Sequence, residues 1–289
     1  MGSRQDQRGL GVLYEEHMVL GASFGPSREP LRYVDGEETL ARESMREGAL
    51  LCDASTAKML LLGGACATSY ATTACARPAL GVGRCGFGAV LTGDGCVASI
   101  PLLARTGDNE YVLVDSSARS EVLEGWLSFL AGIEQDGVAP FDGLQCEDVS
   151  QSHVVLGLAG AKAADVLADY TNPSNLPPAG HVRSCMLDRI PCIVMRLDGV
   201  EVPAYVLLVP PHKGRALWRS LLSFAEVVPV GLDAMRDRMH RMLSWSRHLS
   251  EVGRLRIDAK ELANHGLVRH SADYVGARGL TAAEEGSAR

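Results

Sequence analysis

LTGDGCVASIPLLAR, residues 91–105, decides how the rest of the chain is read. Asp94-Gly95 lies between two apolar runs. An Asp-Gly pair in that setting is a strong hairpin signal, because glycine accepts the positive φ that a tight turn needs. Residues 87–91 read as the outgoing strand, Thr92-Gly93-Asp94-Gly95 as the turn and 96–104 as the returning strand. Pro101 interrupts that return, having no N–H to give to a ladder. Gly107-Asp108-Asn109 turns the chain again into a strand over 111–114, and 120–133 shows helical apolar spacing. The product is an antiparallel meander closed by a helix, not a parallel nucleotide-binding sheet.

Upstream, 13–22 and 36–50 read as helices, the second with acids early and arginine late, as the helix dipole prefers. The apolar run 58–62 ends at Gly63-Gly64 and reads as a buried strand; 65–76 follows as a small-residue helix closed by Arg77-Pro78. Downstream the order returns. Residues 154–158 form a strand, Gly160 a turn and 161–170 a helix; 171–180 is a loop. Residues 193–197 and 205–209 make a hairpin around Asp198-Gly199, and 213–224 is a helix. Strand, helix, hairpin and helix thus occur twice. The expected class is α+β, with two similar antiparallel-sheet-plus-helix lobes: 1–140, carrying the hairpin 87–105, and 141–249. Residues 250–289 remain as a C-terminal extension, with a polar tail from Thr281 expected to fray.

The formal charge of −7 over 289 residues speaks against a nucleic-acid or anionic-membrane surface, both of which need clustered Lys and Arg. It leaves room for a small anionic ligand, which one or two arginines can hold. The N-terminus has no apolar signal core and no window approaches a membrane span, so a cytoplasmic protein is expected. None of the eight cysteines forms a C-x-x-C pair, and most sit among apolar residues, as buried reduced thiols do.

Phosphate-binding motifs are missing. Gly81-x-Gly83-x-x-Gly86 has the dinucleotide spacing but precedes a strand instead of opening a helix. His153, His181 and His212 stand alone near strand or loop edges. Residues 231–249 read as a basic helix bearing Arg236, Arg238, His240, Arg241, Arg247 and His248: a solvated face or an anion clamp.

Several segments, in order, resemble the glycine cleavage T-protein (aminomethyltransferase) family. LYEEHMVLGA, 13–22, looks like its opening helix. LLCDASTAKMLLLGG, 50–64, is similar to G-L-F-D-V-S-H-M-G-x-L-x-V-x-G, sharing Asp53, Ser55 and Gly64. The hairpin 91–105 resembles L-N-E-x-G-G-x-x-D-D-x-x-V. DVSQSHVVLGLAGAKAADVL, 148–167, resembles D-x-S-x-x-x-A-L-L-A-L-Q-G-P-x-A-x-x-V-L, and ADYVGARGL, 272–280, resembles D-F-I-G-R-E-A-L.

That resemblance implies three domains around a central hole holding tetrahydrofolate, and transfer of a methyl or aminomethyl unit to folate. The family's last domain is a small β-barrel beginning after the D-F-I-G-R-E-A-L segment, so this sequence, which ends shortly after Leu280, is expected to lack it. The family's key carboxylate is the first Asp of D-D; Ser99 stands there, with Ile100 beside it. A hydroxyl is a far weaker acid and carries no charge at neutral pH. The Glu of G-Y-E-I, which accepts pterin N–H groups, is matched by Val206 after Tyr205, and the Asn of V-N-A by Ser116. Phe87 stands where the family has a pocket Tyr, and Arg196 and Arg236 match two of its arginines. The implied ligand contacts are therefore Phe87, Ser99, Ser116, Arg196, Tyr205 and Arg236. Lys213-Gly214-Arg215 lacks the Cys of the iron-sulfur-assembly branch. Two functions follow: a tetrahydrofolate-dependent aminomethyltransferase or demethylase with altered catalytic residues, or a non-catalytic folate- or partner-binding subunit. Either is expected to take a small-molecule ligand, and to pair with a second copy or with a partner that supplies the barrel.

Overall fold

A computed structural model describes residues 11–134 and 136–281. The chain divides into two compact units, Met1–Thr56 with Val149–Ser244, and Ala57–Asp148 with Trp245–Arg289. Each is assembled from two separated stretches, whereas the sequence reading cut the chain into consecutive segments. The cause lies in strand pairing: Ala49–Asp53 does not pair with its neighbour in sequence but with Val154–Ala159.

The first unit holds a six-stranded sheet in the order His181–Leu187, Ile190–Arg196, Ala204–Val209, Val154–Ala159, Ala49–Asp53, Val227–Pro229. Every pairing is antiparallel except the last, where Val227–Pro229 runs parallel to Ala49–Asp53. All five residues of Ala49–Asp53 are buried, as expected of a central strand covered on both faces. Leu51, Leu156, Leu207 and Val209 pack with Leu217, Trp218 and Leu221 of the helix Pro211–Leu221. That helix buries one stripe and points Arg215 and Arg219 at Glu15 and Glu16 of the helix Tyr14–Val19.

The second unit holds a five-stranded antiparallel sheet in the order Gln145–Asp148, Lys58–Gly63, Glu110–Asp115, Leu102–Gly107, Cys85–Phe87. The helices Ala67–Ala74 and Ser120–Ala131 cover it through Tyr70, Leu123 and Leu127, and the Tyr70 hydroxyl donates to the Leu127 carbonyl at 2.5 Å. Lys58 reaches Glu121, Glu124 and Asp148 at 3.1, 2.6 and 3.1 Å. Burial alone would lower this ammonium's pKa, but its hydrogen bonds to the three carboxylates win and raise it.

The α+β class and the recurring strand–helix–strands–helix order match the expectation. Three details differ. The strands expected over 87–91 and 96–104 break into Cys85–Phe87, Val90–Leu91, Val97–Ser99 and Leu102–Gly107, with Pro101 at the break. The helix expected over 231–249 ends at Met242, and Arg247 and His248 lie on a 3-10 segment, Ser244–Ser250. The helix expected over 36–50 stops at Glu47 so that the strand Ala49–Asp53 can begin. His181–Leu187 is a further strand that the sequence reading missed. The polar tail expected to fray lies outside the described residues beyond Thr281. None of the eight cysteines is joined in a disulfide, and six of them are buried. Among the described residues no helix is long and apolar enough to cross a membrane.

Candidate functional site

The hairpin around Asp94-Gly95 builds the centre of the second unit. Gly95 has φ +80, and a Cβ there would come within 2.4 Å of the backbone of Gly279, so only glycine fits. The Asp94 carboxylate accepts from the Thr92 hydroxyl at 2.6 Å, from the Cys96 N–H at 3.3 Å and from Arg254 at 2.7 Å. These bonds hold it well below the usual carboxylate range. Val90 then pairs with Ser99, which ends the short returning strand. Ile100 and Pro101 carry the chain into Leu102–Gly107, whose partner strand Glu110–Asp115 ends on Asp115.

The two strand ends meet. Ser99, fully buried, donates its hydroxyl to Asp115 Oδ2 at 2.6 Å and lies 3.2 Å from the Ser117 hydroxyl. Asp115 Oδ1 accepts the Ser117 N–H at 2.9 Å, a side-chain-closed turn that opens the helix Ser120–Ala131. Arg119, also buried, runs beneath this cluster. Its Nε donates to the Ala98 carbonyl, one Nη to Val97, and the other Nη to Glu251 and Gly253, at 2.6–2.8 Å.

Burial pushes the Asp115 carboxyl up. The Ser99 hydroxyl, the Ser117 N–H and hydroxyl, and the Arg119 charge pull it down without cancelling that rise. A group that titrates higher when folded binds more protons in the folded protein. Its contribution to stability is full below the unfolded value of about 3.9 and falls as pH climbs through the folded value. Asp115→Asn removes this dependence. The variant is expected to gain on the wild type, in unfolding free energy from urea titration, as pH rises above about 4. A gap that stays flat, or moves toward the wild type, contradicts the raised carboxyl.

The six implied contact residues divide three and three. In the second unit, half-buried Phe87 packs edge-on to Trp245 at 5.0 Å; Ser99 lies in the cluster; Ser116 is exposed, next in sequence to Asp115. In the first unit, Arg196 and Tyr205 are cross-strand partners, with the guanidinium 5.6 Å over the ring. Tyr205 belongs to the core, and burial raises its phenol. Arg236 is exposed and meets Asp233 at 3.4 Å. Val206 pairs with Gly157 and Met195 and offers no acceptor.

Asp115 was missed by sequence reasoning. Its signal was an acid closing an apolar run, YVLVD, and followed by two serines. The first unit also holds a buried network built on Asp53 and Ser55. Asp53 accepts from the Ser55 hydroxyl and N–H at 2.5 and 3.0 Å and from His17 Nε2 at 2.8 Å, and the Tyr33 hydroxyl donates to His17 Nδ1 at 2.8 Å. It borders a small recess shared with Tyr14, Arg28 and Glu29. The network fastens the helix Tyr14–Val19 to the central strand.

This architecture is the fold of the glycine cleavage T-protein. The aminomethyltransferase T of the glycine cleavage system from Bartonella henselae has a TM-score of 0.78 to it, over 95% of this chain and 74% of that one, at 22% identity. Residues 13–251 match the family described as the GCVT N-terminal domain, and the chain belongs to that family. Among its relatives, an aminomethyltransferase from Saccharopolyspora erythraea is 30% identical over 166 residues, 55% of this chain and 42% of that protein. Another from Mycobacterium avium is 25% identical over 248 residues, 84% of this chain and 65% of that protein. The chain therefore spans less than two thirds of the length of either.

Proposed function

We propose that the chain is a folate-dependent one-carbon transferase-like protein, handling a methyl or aminomethyl group with catalytic residues that depart from the family pattern. The observation that carries this reading is the Ser99–Asp115–Ser117 cluster. It puts a buried carboxyl, dressed by hydroxyls, beside the position where the resemblance implies an acid. The similarity to curated aminomethyltransferases adds support.

Tetrahydrofolate is the implied cofactor; when bound, it supplies the nitrogen that takes up the one-carbon unit. The residues of the second unit suit the reacting end. Asp115 offers charge beside an amine, and Phe87 offers an aromatic wall against Trp245. Val206, an aliphatic side chain, does not suit the pterin N–H groups.

Calorimetric titration with tetrahydrofolate tests the reading. Saturable binding is expected; no heat of binding at millimolar ligand overturns it. The aliphatic Val206 favours a second reading, a non-catalytic folate- or partner-binding subunit. Saturable binding with no one-carbon transfer from any methylamine or aminomethyl donor would decide for that one.

A further inference from the structure

Asp115 is 3% exposed and has no ion-pair partner within 4 Å among the described residues. The nearby Arg119 charge offsets part of the cost, but its donors go to backbone carbonyls; a buried carboxyl with no direct ion pair remains costly, and folds keep such groups chiefly where their charge is used. A turn from Asp115 to Ser117 does not require it, because asparagine closes the same turn without the charge. The Ser99 hydroxyl is spent on Asp115 Oδ2, so the charge of this cluster sits one hydrogen-bond length from residue 99, at the end of a strand of the five-stranded sheet. The half-buried Ser117 and the exposed Ser116 carry the cluster to the surface.

We propose that Asp115 supplies the carboxylate of this site in place of position 99, that its ligand is the protonated amine of the one-carbon donor, and that Ser99 is the positioning residue that fixes its oxygen. This rests on the folate-dependent reading above. The carboxylate forms no covalent bond in this role. It accepts a hydrogen bond from the ammonium N–H and balances its charge, and the Ser99 and Ser117 oxygens lend further acceptors. Because the charge has moved by one hydrogen-bond length, serine and aspartate at 99 and 115 should be exchangeable as a pair but not singly. Asp at both places sets two carboxyls side by side, and one is then forced to stay protonated.

The test uses the full chain, with methylammonium as the probe, titrated with and without saturating tetrahydrofolate while the aspartate carboxyl ¹³C signals are followed. In the wild type, methylammonium is expected to shift the Asp115 signal and lower its titration midpoint. Asp115→Asn should weaken methylammonium binding at least about tenfold. Ser99→Asp/Asp115→Asn should restore it to within about threefold, and Ser99→Ala should weaken it only a few-fold. The inference is overturned if the wild type binds no methylammonium up to about 100 mM, or if Asp115→Asn binds it as well as the wild type does. It is also overturned if the double variant, folded by its melting curve, recovers nothing. Should the double variant not fold, the two single variants still decide. A wild type that binds methylammonium at Asp115 but no tetrahydrofolate removes the folate reading and leaves the cation site standing.

Discussion

Arg119→Met unfolds at a much lower urea concentration than the wild type, by an amount that corresponds to roughly 3–5 kcal/mol. Methionine keeps the apolar stem and removes only the fork. Four backbone carbonyls then lose a charged donor: Val97, Ala98, Glu251 and Gly253. Two belong to the strand that ends on Ser99, and two to the segment after Trp245. This guanidinium ties all four together, so the loss is concentrated at the cluster. Arg119→Lys should recover less than half of it, because a single ammonium cannot span four acceptors laid out for a planar fork. The second effect is electrostatic. Arg119 helps hold the Asp115 carboxyl down, and its removal lets burial push that carboxyl further up. Trp245, in the same unit, gives a fluorescence signal for the transition. A loss below about 1 kcal/mol would mean that water replaces the guanidinium freely, and the arginine would not be the fastener described.

Trp218→Ala is expected to cost about 3–5 kcal/mol in the first unit. Trp218 is fully buried between the helix that carries it and the six-stranded sheet, and it meets His17 edge-on at 5.1 Å. Truncation leaves a cavity under the helix Pro211–Leu221 and takes away one wall of the His17–Asp53 network. Trp218→Phe separates two contributions. Among the described residues the buried indole N–H has no hydrogen-bond partner, so phenylalanine removes a group that gains nothing from being there. The phenyl ring fills most of the space. The expected net change for Phe is therefore within about 1 kcal/mol of the wild type, far from the alanine value. Equal losses for Phe and Ala, measured by thermal melting, would show that the indole N–H is satisfied after all.

Local signals were readable where one residue type forced the backbone. Asp94-Gly95 announced a turn, Pro101 a break, and the spacing of Leu123, Leu127 and Leu130 a helix. Signals that depend on distant partners were not readable. ALLCD at 49–53 is a short apolar run that could have ended a helix; only its pairing with 156–159 makes it the middle of a sheet. HVRSCML at 181–187 mixes buried and exposed positions and gains its strand character from the hairpin with Ile190–Arg196. At the site, the family pattern marked position 99 as the place that should carry charge. It could not show that the strand ending at 115 brings a carboxyl there, because Ser99 and Asp115 become neighbours only once Pro101 has sent the chain into the next sheet.

The interleaving of the units bears on synthesis. Ala49–Asp53 leaves the ribosome about a hundred residues before Val154–Ala159, its central partner, and longer still before Val227–Pro229. For that interval a largely apolar strand has no ladder to join, while the meander of 57–148 can already assemble around its own local turns. Pairings of such long loop length are slow to close and leave sticky edges exposed meanwhile. Expression at low temperature, where elongation and aggregation both slow, should therefore raise the soluble yield.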